Sequence, residues 1–117
     1  MTEEEQREFW ERFYKALDAG DAETASALFP DGTEIYLWDG TVFKTQEEFR
    51  SWFVDLYSKS NNAKRHIVEF RVEGDVSYVE VVLHASENGT EKTVRLTHIT
   101  EFEGDKVVKV EVSITPL

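Results

Sequence analysis

The chain has 117 residues, of which 40% are hydrophobic and 13% aromatic, enough for one globular domain spanning residues 1–117. Its net charge of −11 at pH 7 repels nucleic acid, and the absence of cysteine excludes disulfides and thiol chemistry. No apolar run is long enough to cross a bilayer, and the acidic start is not typical of a signal peptide. We therefore expect a soluble protein with no membrane partner.

Two capping-box sequences mark the starts of two amphipathic helices. Thr2 with Glu5 begins the first helix, and Thr45 with Glu48 begins another. Asp21 is expected to cap a short helix between them. Each long helix carries an apolar face at helical spacing. These faces are Phe9, Trp10, Phe13, Ala16 and Leu17 in the first helix, and Phe49, Trp52, Phe53, Leu56 and Tyr57 in the second.

From residue 63 onward the apolar residues alternate, which indicates β-strands. Three tight-turn sequences divide this part into four strands: Gly74-Asp75, Asn88-Gly89 and Gly104-Asp105. One face of these strands is apolar, with Val68 and Val108 among its members, and the other is charged, so one face packs and the other is solvated. Two short strands, 34–38 and 41–43, precede them, and residues 58–62 are expected to form a polar loop.

This order of elements predicts an α+β cone in which three N-terminal helices pack on the concave side of a curved antiparallel sheet. Three helices do not fill the concave side of a long curved sheet. We therefore expect an enclosed pocket at its open end, and this pocket is the default binding site for a small molecule. The charged outer face of the sheet leaves little apolar area for a dimer interface, so we expect a monomer.

His98 and Tyr14 are the first candidate pair. Strand alternation places His98 on the apolar face, and Tyr14 lies at the edge of the apolar arc of the first helix. A lone inward histidine is more often a hydrogen-bonded core residue than a catalyst, but a buried phenol also needs a partner. A Tyr–His pair can hold or move a proton, with activity falling near pH ~6.5 if the histidine pKa is unshifted.

Asp18 and Arg65 are the second candidate pair. Asp18 follows Tyr14 by one helical turn and lies where the helix end disfavours a carboxylate, so it is either solvated or held by a buried cation. Strict alternation points Arg65 outward as an exposed residue of the strand edge. A β-bulge early in the strand would reverse this and bring Arg65 to Asp18.

The number of aromatic residues is high for a small domain, and they suit either a packed core or a pocket for a flat polycyclic ligand. Trp38, Phe49, Trp52 and Phe53 are the candidates for substrate binding. The three histidines fall on different predicted strands and form no ligand motif with nearby acids, so we expect no metal site.

Two segments carry a family resemblance, Leu17 to Glu23 (LDAGDAE) and Leu28 to Gly32 (LFPDG). Both resemble the start of nuclear-transport-factor-2-like (NTF2-like) and SnoaL-like domains, and the order of helices and strands over the whole chain is similar. The resemblance implies a curved sheet around a pocket. The superfamily includes ketosteroid isomerases, dehydratases and plain binding domains.

Regular helix caps and idealised turns are typical of designed proteins, and the whole chain resembles the de novo designed luciferases built on this fold. That resemblance implies that Tyr14, His98, Asp18 and Arg65 are catalytic and that Leu96 and Val110 line the substrate pocket. It implies oxidation of diphenylterazine, a synthetic imidazopyrazinone, with release of CO₂ and blue light. O₂ is then the co-substrate, with no metal or flavin cofactor.

The same resemblance implies a protein with no native compartment, cytoplasmic when expressed. Two alternatives stay open at this point. One is a ketosteroid-isomerase-like proton-transfer enzyme in which Tyr14 donates to an oxyanion, although no inward carboxylate other than Asp18 is evident as its base. The other is a designed small-molecule-binding scaffold without turnover.

Overall fold

A computed structural model describes residues 1–116, except for the side chains of Ser60, Asn61 and Pro116. The elements are α1 Glu3–Asp18, α2 Ala22–Ala27, β1 Glu34–Tyr36, β2 Val42–Phe43, α3 Gln46–Lys59, β3 Ser60–Glu73, β4 Val76–Glu87, β5 Thr90–Glu103 and β6 Lys106–Pro116. Among the described residues, none of the helices has the length and apolar character needed to cross a membrane.

Helix starts follow the predicted caps. Thr2 Oγ1 accepts a hydrogen bond from the Glu5 backbone, and the Glu5 carboxylate accepts one from Thr2. Thr45 and Glu48 exchange the same two bonds at α3, and the Asp21 carboxylate caps α2. The helices do not, however, form one N-terminal block of three, because α3 follows the β1–β2 pair.

The six strands form one sheet in the order β2-β1-β6-β5-β4-β3. Four neighbouring pairs are antiparallel, but β1 and β6 are parallel, so the prediction of a wholly antiparallel sheet is wrong. The cause is the path of the chain. It leaves the β1–β2 pair through α3, starts again at the far edge with β3, and returns strand by strand until β6 lies beside β1.

Two irregularities in register change which side chains face the helices. Between Ile67 and Glu69 the pairing with β4 shifts by one residue, so Val68 is 51% exposed and is not inward as expected. A similar shift at Glu101 buries Val107 in place of Val108. Such bulges bend a strand and increase its twist. The predicted loop at 58–62 is also wrong, because α3 runs directly into β3.

The core is rich in aromatic rings that meet mostly edge to face. Phe13 of α1 is buried against Trp10, Phe29 and Phe49, and Phe9 contacts Phe102 of β5. This packing fills one end of the concave side of the sheet. The other end, towards the β4–β5 turn and the end of α3, holds a cavity.

Candidate functional site

The cavity has a volume of about 310 Å³ and lies between α1, α3 and the concave face of β3 to β6. All six residues expected to bind substrate are in its wall: Trp38, Phe49, Trp52, Phe53, Leu96 and Val110. Trp38 is 45% exposed, and the Glu87–Lys92 ion pair also borders the cavity, with both side chains partly exposed. The cavity therefore opens to solvent at this mouth and is not enclosed as predicted.

His98 and Tyr14 form a hydrogen-bonded pair beside this cavity. The Tyr14 hydroxyl lies 2.8 Å from His98 Nδ1, and both residues are buried. α1 supplies the phenol from its buried face, and the alternation of β5 turns the imidazole inward. This contact is the one that the sequence led us to expect.

Trp10 supports His98 in a way that the sequence did not indicate. Its ring stacks on the imidazole with a centroid distance of 4.9 Å and an interplanar angle of 28°. The indole N–H donates to Ser77 Oγ at 3.1 Å, which fixes the orientation of the ring. The i, i+4 spacing of Trp10 and Tyr14 on α1 was the available signal, because both side chains then face the same strand.

Burial keeps both members of this pair uncharged. Desolvation, with a smaller effect of the Arg65 cation, lowers the pKa of His98 to about 3. Desolvation also raises the pKa of Tyr14 well above its usual value, against the opposing effect of Arg65. His98 is therefore a neutral imidazole at neutral pH, and an acid limb near pH 6.5 is no longer expected from its titration.

Arg65 and Asp18 form a second pair, between β3 and the end of α1. Arg65 Nη1 donates to Asp18 Oδ1 at 2.7 Å, and the Arg65 backbone N–H donates to Oδ2 at 3.0 Å. The Arg65 side chain is 7% exposed and that of Asp18 28%. The interpretation of Arg65 as an exposed residue is therefore wrong, because the bulge at Val68 turns it inward.

The four polar residues do not all reach the cavity. Arg65 and His98 are in its wall, whereas Tyr14 and Asp18 lie behind them and line a separate cleft. A guanidinium and a neutral imidazole thus face a largely apolar space, whose other charged side chains are the Glu87–Lys92 pair at the mouth. Such a site can bind a flat apolar molecule and stabilise a negative charge on it.

Other wall residues were not named as candidates for substrate binding, although strand alternation places their side chains on the inner face of the sheet. They lie where β4 and β5 extend towards the mouth of the cavity. Leu83 and Ala85 of β4 and Val94 of β5 are examples. Among the described residues there is no group of three or more His, Asp or Glu side chains placed to hold a metal ion. His66 and His84 are neighbours on the sheet, with ring centroids 6.0 Å apart.

Solved structures with the same fold are numerous, but their sequences are distant. A hypothetical protein with a ketosteroid isomerase-like fold from Catenulispora acidiphila DSM 44928, in complex with trimethylamine, is 16% identical; the match has a TM-score of 0.82 and covers 91% of this chain and 84% of that one. A putative SnoaL-like polyketide cyclase from Jannaschia sp. CCS1 is 11% identical, with a TM-score of 0.82 and coverages of 94% and 85%.

An epoxide hydrolase from M. tuberculosis, described as LEH-like, is 12% identical, with a TM-score of 0.79 and coverages of 95% and 83%. No curated protein matches the chain by sequence. These likenesses support the fold, in a group that includes enzymes. The SnoaL-like domain model matches residues 10–110, and the chain therefore belongs to the SnoaL-like domain family, with its NTF2-like fold.

Proposed function

We propose that this protein is a designed luciferase that oxidises diphenylterazine, a synthetic imidazopyrazinone, with O₂ and emits blue light. The observation that carries the proposal is that the Arg65 guanidinium and the neutral imidazole of His98 both lie in the wall of one largely apolar cavity. Resemblance of the whole sequence to designed luciferases on this fold supports the choice of substrate.

The chemistry begins with loss of a proton from the ligand, which leaves an electron-rich anion. The anion adds O₂ and closes to a dioxetanone ring. This ring then breaks into CO₂ and an excited amide, so one oxygen atom of O₂ leaves in CO₂ and the other stays in the amide carbonyl. The ligand supplies the electrons for this oxidation, and the proposed reaction therefore uses no metal or flavin.

The protein contributes electrostatics and exclusion of water. Arg65 stabilises the developing negative charge, and its position is fixed by two hydrogen bonds to Asp18. His98 accepts or shares the ligand proton, held by Tyr14 and by the stacked ring of Trp10. The aromatic wall excludes water from the excited product.

A proton-transfer enzyme of the ketosteroid isomerase type is the second candidate, supported by the fold relatives. It needs a carboxylate base facing the ligand. Within the described part of the chain, Glu87 is the carboxylate in the cavity wall, and it is paired with Lys92 at the mouth. In the β4–β5 pairing Glu87 lies opposite Thr90, whereas His98 lies opposite Val79, eight residues further along each strand. The site therefore favours anion stabilisation over a carboxylate-catalysed isomerisation.

The decisive experiment mixes the purified protein with diphenylterazine in air and in nitrogen. Sustained light that requires O₂ is the expected result, unchanged by a metal chelator. A bound but dark ligand would identify a binding scaffold, and isomerisation of a steroid would identify the second candidate. Either result would contradict the luciferase proposal.

Two arginines of β3 make a matched pair of variants. Arg65→Ala removes the cation from the cavity, and we expect a loss of light of about 100-fold or more, as for loss of a preorganised charge contact. Arg71→Ala removes an exposed arginine from the outer face and should leave the light unchanged. Equal activity of the two variants would show that Arg65 has no part in the reaction.

We also infer that the active unit is a monomer. The outer face of the sheet carries charged side chains, several of them in ion pairs such as Arg71–Glu69 and Lys109–Glu111. Such a face offers little contiguous apolar area for a stable interface. Light scattering at micromolar concentration should return the mass of one chain, and twice that mass would contradict the inference.

A further inference from the structure

A second cleft lies on the outside of α1, against β3. We call it the vestibule. It is open to solvent and lined by Tyr14, Ile67 and six polar or charged side chains: Arg7, Glu11, Lys15, Asp18, Arg65 and His66. Its charged lining contrasts with the apolar wall of the ligand cavity. The two spaces share Arg65 in their walls.

The Tyr14–His98 hydrogen bond joins these two spaces. Tyr14 lines the vestibule and not the cavity, whereas His98 lines the cavity and not the vestibule. Their 2.8 Å contact therefore connects a lining residue of the vestibule to a lining residue of the cavity. Arg65 belongs to both walls, but a guanidinium has donors and no acceptor, so it cannot take up a proton and pass it on. A phenol and an imidazole each have both functions.

We propose that Tyr14 and His98 form a proton relay through which the ligand proton leaves the cavity into the vestibule. This inference rests on the proposed function and adds a route for the proton. It makes Tyr14 a relay residue that acts through His98 and has no need to touch the ligand. It also lets the ligand proton leave without crossing the mouth of the cavity.

The relay moves three protons in one direction. The ligand N–H proton passes to His98 Nε2, the Nδ1 proton passes to the Tyr14 oxygen, and the Tyr14 hydroxyl proton passes to water in the vestibule. Three bonds to hydrogen break and three form, the ligand gains one negative charge, and the vestibule gains one proton. Both residues remain neutral throughout, which suits groups whose charged forms are disfavoured by burial.

The end of the reaction resets the pair. After the transfer His98 carries its proton on Nε2 instead of Nδ1. The amide product is released as an anion and needs a proton. Reverse flow through the same two residues delivers that proton and restores the first tautomer. One ligand turnover therefore uses the relay once in each direction.

The test follows ionisation of the bound ligand without light. Protein and diphenylterazine are mixed under nitrogen, the pH is raised in a stopped-flow instrument, and the absorbance of the ligand anion is recorded. Lys15→Trp fills the vestibule with an apolar ring but leaves the cavity intact. Arg12→Trp is the matched control, because Arg12 is exposed on the same helix and borders neither space.

We expect Lys15→Trp and Tyr14→Phe each to slow ionisation about tenfold or more, while Arg12→Trp keeps the parental rate. The double variant Tyr14→Phe/Lys15→Trp should ionise the ligand no more slowly than Tyr14→Phe alone, since both changes interrupt the same route. A Lys15→Trp rate equal to that of Arg12→Trp, or additive effects, would overturn the relay. If the parent ionises the ligand by this route but stays dark in air, the relay stands and the luciferase proposal fails.

Discussion

The two polar pairs that join α1 to the sheet lie one helical turn apart but differ in charge and in exposure. Tyr14 and His98 are uncharged, and both are buried. Asp18 and Arg65 are charged, and Asp18 keeps 28% of its side chain in solvent. Transfer of charges out of water costs far more than transfer of a hydrogen-bonded neutral pair. The charged pair thus lies where one of its members, Asp18, keeps contact with solvent.

This difference in exposure also lets one cavity wall present two kinds of group. At the end of α1 the Asp18 carboxylate is partly exposed and holds Arg65 in place through two hydrogen bonds. One turn earlier the helix is covered by aromatic side chains, and a neutral donor–acceptor pair is the form that burial favours. The cavity wall thereby presents the fixed guanidinium of Arg65 and the neutral imidazole of His98.

The largest effect is expected from loss of the carboxylate. Asp18→Asn leaves the buried Arg65 cation without its counter-charge, which typically costs ~3–5 kcal/mol. We expect a smaller loss from Arg65→Ala, because the remaining carboxylate of Asp18 is partly exposed and can be hydrated. Urea unfolding of both variants measures which substitution lowers the unfolding free energy more. A larger loss in Arg65→Ala would show that exposure does not govern the stability of this pair.

Removing one partner of the neutral Tyr14–His98 pair should lower the unfolding free energy less than Asp18→Asn does. Tyr14→Phe leaves His98 Nδ1 buried without its partner, and an unsatisfied buried polar group costs ~1–3 kcal/mol. The matched control is Tyr78→Phe, which removes a hydroxyl that donates to Glu80 on the outer face of the sheet. We expect a change of less than ~0.5 kcal/mol there, because water replaces the lost partner. Similar losses in the two variants would refute the role of burial.

Much of this arrangement was predictable from sequence. Caps, helix faces and the three late turns have short-range signals, and strand alternation was sufficient to turn His98 inward. The face of β3 on which Arg65 lies could not be predicted. A single bulge reverses the alternation there, and no sequence signal indicates the bulge. The parallel pairing of β1 with β6 depends on long-range packing that local patterns do not encode. The i, i+4 spacing of Trp10 and Tyr14 places both rings on one helix face but does not specify that Trp10 stacks on His98.

The neutral pair should also make the unfolding free energy depend on pH, through His98. The pKa of His98 falls from 6.5 to about 3 on folding, so below pH 6.5 the unfolded chain binds a proton that the folded chain does not. This contribution to stability is fully present above pH 6.5 and is lost as the pH falls towards 3. The expected slope is ~1.4 kcal/mol per pH unit from this one group.

His98→Gln is the control for that slope. Parent and variant share all carboxylates, so the difference between their unfolding free energies, measured from pH 7 to pH 5, isolates the histidine. The parent should lose more stability than the variant over this range. Parallel pH profiles would show that His98 titrates normally in the folded state and that the neutral pair is not sealed from solvent.

The smallest effect is expected where a pair is fully open to water. Arg71 and Glu69 lie on the outer face of β3, with Arg71 Nε 3.0 Å from Glu69 Oε1 and both side chains well exposed. Exposed ion pairs of this kind contribute ~0–1 kcal/mol, because water and salt screen them. Glu69→Gln should therefore change the unfolding free energy by less than ~1 kcal/mol, and added salt should reduce even that difference. Asp18→Asn in the same buffers should keep its large effect, since a partly buried pair is screened far less. If salt reduced the effect of Asp18→Asn but not that of Glu69→Gln, the Asp18–Arg65 pair would be the more exposed of the two. That result would contradict the burial of the pair.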